Sequence, residues 1–105
     1  MGCKIIGDIK LKRKGKELEK LIAKELNGYL TANSGAVFGN GDVVTNKFTI
    51  ECKQWNTDSF SIKYDVWQKI KGEANKDRKE ALYVTQNMSK EILVTMSLDT
   101  LKGLL

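Results

Sequence analysis

Three residues of this chain have the types and spacing for phosphate chemistry: Asp42, Glu51 and Lys53. Asp42 stands in Gly-Asp-Val-Val (41–44), and the other two in Phe-Thr-Ile-Glu-Cys-Lys-Gln (48–54). Residues two apart on a β-strand point to the same face. Glu51 and Lys53 would therefore project together, while Phe48, Ile50 and Cys52 turn the other way into a core. If Asp42 lies on a neighbouring strand, two carboxylates and an amine meet at one place. Carboxylate oxygens suit Mg²⁺ or Mn²⁺. A lysine beside them can orient or deprotonate a water, or stabilise charge developing on a phosphate. Such a set is equipped for metal-dependent phosphodiester hydrolysis. The competing reading is an exposed Glu-x-Lys ion pair worth roughly a few tenths of a kcal/mol. Spacing alone favours that pair. The surrounding elements, a Gly-rich loop ahead of the acid and charged helices on both sides, favour the site.

The composition narrows the chemistry further. There is no histidine, so Ser-His, Cys-His and histidine–metal chemistry are excluded, and carboxylates and lysines remain. The two cysteines, Cys3 and Cys52, make neither a disulfide framework nor a zinc site, and a reducing cytoplasm is the expected compartment. A length of 105 residues fits one domain spanning 1–105. The formal charge of +5 favours polyanionic partners. Lys10, Lys12, Arg13, Lys14 and Lys16 cluster near the start, so residues 1–13 read as a basic arm. That arm either contacts phosphates or is simply solvated. No stretch approaches the roughly 20 apolar residues of a membrane span.

The elements that would position the site follow from periodicity. Leu18, Leu21, Ile22 and Leu26 recur at helical spacing over 14–27, and Gly28 reads as the C-cap. Residues 29–32 form a short strand, and the glycine-rich 33–41 a loop. Runs 42–45 and 47–55 are β-like and separated by Asn46, which demands a tight antiparallel turn. A helix is predicted over 62–77, with Ile62, Val66, Ile70 and Ala74 on one stripe and Trp67 beside it. Buried strands at 81–85 and 91–96 and a final helix at 98–104, capped by Ser97, complete the chain. A weak strand signal falls within 1–12. The order helix, three strands, helix, two strands, helix is that of an α/β fold around a mixed central sheet of five strands.

From Lys14 to Thr85 the sequence resembles the PD-(D/E)xK nuclease superfamily, and in particular its archaeal-type and phage Holliday-junction resolvase branch. The resemblance rests on five residues in order. Glu17 lies in the opening turns of the first helix, Ser34 in a small Asn-Ser-Gly-Ala segment, Asp42 at a strand start, and Glu51 and Lys53 on the next strand. Gly41 stands where the branch usually has proline, and several relatives carry a longer C-terminal region. The resemblance implies a restriction-endonuclease-like sheet flanked by helices, and Mg²⁺ (or Mn²⁺) held by Asp42, Glu51 and the Cys52 carbonyl. Glu17 would bind a second metal or a metal-bound water; its other reading is a surface glutamate favoured by the helix dipole. Lys53 would position the attacking water. Ser34 either bonds a phosphate or stabilises its turn. Candidate DNA contacts are Lys12, Arg13, Lys14, Lys16, Ser34, Gln54, Trp55 and Lys69, with Trp55 either stacking on a base or covering the sheet rim.

The function implied is hydrolysis of branched DNA, most specifically resolution of four-way junctions by a homodimer, since paired cuts need two sites related by a twofold axis. A nicking, duplex or single-strand endonuclease of the same fold is the second reading. A non-catalytic DNA-binding module is the third.

Overall fold

The tight turn demanded by the spacing of Asp42 and Glu51 is present. The computed structural model describes residues 16–31 and 42–105. Its elements are helix α1 through 16–25, β1 (Tyr29–Leu30), β2 (Val43–Val44), β3 (Phe48–Gln54), α2 (Tyr64–Lys76), β4 (Glu80–Gln86), β5 (Ile92–Thr95) and α3 (Leu98–Leu104). The strand signal within 1–12 lies outside the described residues.

The five strands form one mixed sheet in the order β1-β2-β3-β4-β5. β2 and β3 pair antiparallel with Val43 opposite Ile50. Thr45 closes their turn. Its N–H donates to the Phe48 carbonyl at 2.9 Å, and its hydroxyl accepts from the Lys47 and Phe48 N–H groups at 3.2 and 2.9 Å. β3 and β4 run parallel, which requires a crossover, and α2 supplies it. β4 and β5 pair antiparallel at the far side.

The period-two pattern divides the sheet into two faces. Phe48, Ile50 and Cys52 turn to one face and pack with Leu18, Ile22, Ala23, Val43, Leu82 and Val84. Ile70 and Ala74 of α2 cover Ala81 and Tyr83 on the other face, flanked by Ile62 and Trp67. β4 is thus buried on both sides, which explains its unbroken run Ala-Leu-Tyr-Val-Thr. Full burial of Val43, Ile50 and Val84 contributes about 1.5–3 kcal/mol for each side chain.

Four expectations shift in detail. The strand expected to be buried at 91–96 is the edge strand β5, with Leu93 and Val94 exposed. α2 starts at Tyr64 rather than 62, because Ile62 packs from the extended segment ahead of it. Val66 is exposed, so the helix stripe that meets the sheet narrows to Ile70 and Ala74. Gly28 is not the left-handed cap of α1. Asn27 takes that role at φ 55°, and the Gly28 N–H closes a Schellman bond to the Ala23 carbonyl at 2.8 Å. Gly28 is needed for space, since a Cβ there would lie 2.7 Å from the Val44 carbonyl oxygen. Ser97 caps α3 as expected, accepting from the Thr100 N–H at 3.1 Å. The Thr100 hydroxyl donates to Glu80 at 2.8 Å and ties α3 to the start of β4.

Candidate active site

Asp42 immediately precedes the short strand β2, beside β3. Its N–H donates to the Ile50 carbonyl at 2.8 Å, and its Oδ2 accepts from the Cys52 N–H at 2.9 Å. A strand residue's N–H and C=O point to the same side, so the Cys52 carbonyl is also directed toward Asp42. Asp42 is only 4% exposed. A buried carboxylate is costly unless it is hydrogen-bonded, and the Cys52 amide meets part of that need.

Glu51 follows Ile50, whose carbonyl accepts from the Asp42 N–H, and lies beside Tyr83 on the parallel ladder. Burial first, then the Asp42 and Glu73 carboxylates, raise its carboxyl from 4.5 to about 7. Lys69 lowers it and Glu19 raises it slightly. The environment of Glu51 therefore favours a proton or a cation at neutral pH. Burial, and then Asp42, Glu19 and Glu51, push the Cys52 thiol up, so its side chain is an inert core group.

Glu51 and Lys53 line one cavity of about 370 Å³ with Trp55, Lys69, Glu73 and Tyr83. The Lys53 ammonium lies 4.8 Å from the centroid of the Trp55 ring, a cation–π contact that fixes both side chains at the mouth. Tyr83 is buried, which raises its hydroxyl; the adjacent Trp55 lowers it and Glu51 raises it again.

The structure thus brings together Asp42, Glu51, Lys53, Trp55 and Lys69. Gln54 points to the opposite face, toward α1, as its odd–even position requires. Glu17 lines that second cavity with Gln54, and the acid of α1 that acts on Glu51 is Glu19. Lys16 is exposed on α1, and neither of the two cavities includes it. Lys12, Arg13, Lys14 and Ser34 lie outside the described residues. Two contributors escaped the sequence reading, Glu73 and Tyr83. Glu73 was accessible in principle, being three residues after Ile70 and four after Lys69 on the sheet-facing side of α2. Tyr83 becomes a neighbour of Glu51 only through the parallel register, which no local pattern reveals.

Among the described residues, no three His, Cys, Asp or Glu side chains form a ready metal-ligand group. No family model, curated protein or solved structure matches this chain. No helix of the described residues is long and apolar enough to cross a membrane.

Proposed function

We propose that the chain is a metal-dependent DNA endonuclease of the PD-(D/E)xK type with a restriction-endonuclease-like sheet, acting on branched DNA and most specifically on four-way junctions. The observation that carries this reading is the closeness of two carboxylates, Asp42 held by the Cys52 N–H and its charge acting on Glu51, with Lys53 in the Glu51 cavity. The donor set fits Mg²⁺. That ion is commonly held by one or two carboxylates and completes its octahedron with waters and substrate phosphate, so a third side-chain ligand is not required. The raised pKa of Glu51 supports the fit, because a bound cation would relieve the carboxylate repulsion that burial intensifies. Asp42, Glu51 and the Cys52 carbonyl would hold the ion. When bound, it would polarise the phosphate and lower the pKa of a coordinated water.

The remaining work falls to the chain itself. Burial and the Cys52 N–H fix the orientation of Asp42. The Lys53 ammonium, positioned by Trp55, stabilises charge on the non-bridging oxygens and orients the attacking water. Lys63 and Lys69 border the same cavity and offer phosphate contacts, giving the negative strand an approach that the acids alone would repel. Paired cuts in a junction call for a homodimer, and α3 exposes Leu98, Leu101 and Leu104 as an apolar face that a second copy would cover. The test is substitution. Asp42→Asn, Glu51→Gln and Lys53→Ala each abolish cleavage, and the two carboxylate changes also weaken Mg²⁺ binding measured by titration calorimetry. Wild-type rates in all three variants would refute the assignment.

A further inference from the structure

A second cavity, of about 430 Å³, opens at the carboxyl ends of β3 and β4 on the α1 side of the sheet. That volume falls within the roughly 300–1,000 Å³ typical of small-molecule sites. Its lining is unusual in chemistry. Four carboxamides converge on it: Gln54, Asn56, Gln86 and Asn87, with Trp55 and Met88 as apolar surfaces. Each carboxamide carries two donors and one acceptor, of which the Gln86 amide donates one to the Lys90 carbonyl at 3.4 Å and the Asn87 oxygen accepts from the Glu91 N–H. Asn and Gln match the edges of nucleobases, and aromatic faces stack on their rings. The charged groups at its border, Glu17 and Lys90, are of opposite sign, so neither an anion nor a cation is favoured. The chemistry recognised is a planar, neutral, amide-like ring.

Two further observations direct the argument. The Gln54 Oε1 is buried and accepts no hydrogen bond from the described residues, and an acceptor in that state lacks the donor that burial normally demands. Trp55, just past the end of β3, lines both this cavity and the one that holds Glu51 and Lys53, so the two, on opposite faces of the sheet, meet at its rim. A ring in the second cavity would therefore lie across Trp55, at the sheet rim, from the site at which a phosphate would be cut. The loop that borders it is well tied: the Glu91 N–H donates to the Asn87 side chain at 2.9 Å, and the Ser89 N–H and hydroxyl donate to Asp58 at 3.1 and 2.6 Å.

We propose that this carboxamide cavity is a nucleobase site, which receives an unpaired base next to the scissile phosphate. The proposal rests on the nuclease reading and narrows its substrate class to DNA with an unstacked base at the cut, as branch points and flaps provide. It also assigns Trp55 a position between the two subsites.

The test uses two exposed residues outside the catalytic set, Asn56→Ala and Leu21→Trp, the second chosen to fill the cavity. Binding is measured in EDTA, so that no cleavage intervenes. The probes are a branched oligonucleotide with 2-aminopurine at the branch point and a fully paired linear duplex. Wild-type protein quenches the 2-aminopurine emission. Each variant loses that quenching and binds the branched probe about tenfold more weakly, while its affinity for the duplex is unchanged. Variants that bind and quench as wild type does, with Mg²⁺-dependent cleavage intact, overturn the base site and leave the nuclease reading standing. Quenching that depends on Asn56 and Leu21 in a protein that never cleaves would support the base site and overturn the nuclease.

Discussion

Glu51→Gln should make the metal-free protein more stable while it destroys the proposed activity. The cause is local. Burial and the carboxylates of Asp42 and Glu73 raise Glu51 from 4.5 to about 7. Below about pH 4.5 the group is protonated in both folded and unfolded chains. Between 4.5 and 7 the unfolded chain has lost the proton while the folded chain still holds it. The folded state binds more protons there, so stability falls as pH rises through that window and levels off above about 7. At about 1.4 kcal/mol per pH unit the loss would be at most about 3.5 kcal/mol. Glu51 is half-buried, so solvent screens this and leaves about 1–2 kcal/mol. Glutamine keeps the shape and removes the charge. In EDTA at pH 8 the variant should therefore melt about 4–10 °C above wild type, and at pH 4.5 the two should coincide. Added Mg²⁺ at pH 8 should raise the melting temperature of wild type and leave the variant unchanged. Calorimetric melts across pH 4.5–8, with and without metal, read all three effects. A variant that melts at or below wild type at pH 8 in EDTA would refute the view of Glu51 as a strained, cation-seeking acid.

Other perturbations test the frame that holds the site. Gly72 lies in α2 with open space around its Cα, so Gly72→Ala should add about 1 kcal/mol of stability and leave any cleavage unchanged, read by denaturant melts. Gly28→Ala should cost about 1–3 kcal/mol, because its Cβ would press on the Val44 backbone at 2.7 Å, and the resulting shift of β2 should also slow cleavage through Asp42. Thr49 is fully buried with no hydrogen-bond partner for its hydroxyl among the described residues, so Thr49→Val should be neutral or stabilising by up to about 1 kcal/mol in the same melts.

The parts of this fold that were legible in the sequence are those set by local rules. The period-two pattern of 48–54 assigned Ile50 and Cys52 to one face and Glu51 and Lys53 to the other, and the structure agrees. The unbroken apolar run at 81–85 announced a strand covered on both sides. Ser97 announced its helix through its capping oxygen. What escaped depends on contacts between distant elements. The left-handed residue of α1 is Asn27, because the approach of β2 reserves Gly28 for space. Val66 lies on the predicted stripe yet stays exposed at the Glu51 cavity, and α2 meets the sheet through Ile70 and Ala74. Tyr83 and Glu73 join Glu51 only once the parallel register and the seat of α2 are fixed. Likewise, helical spacing alone could not distinguish Glu17 from Glu19. They sit two apart on α1, about 200° around its axis, and Glu19 is the one whose charge reaches Glu51.

The most direct test of the central claim is cleavage of a labelled synthetic four-way junction. Wild-type protein and Glu51→Gln would be compared in Mg²⁺ and in EDTA, beside a linear duplex of the same sequence. The account predicts paired, symmetric nicks in the junction that require both Mg²⁺ and Glu51, with little cutting of the duplex. Equal cutting of duplex and junction would discard the branched-DNA specificity. Absence of cutting by the wild-type protein in Mg²⁺ or Mn²⁺ would contradict the nuclease itself.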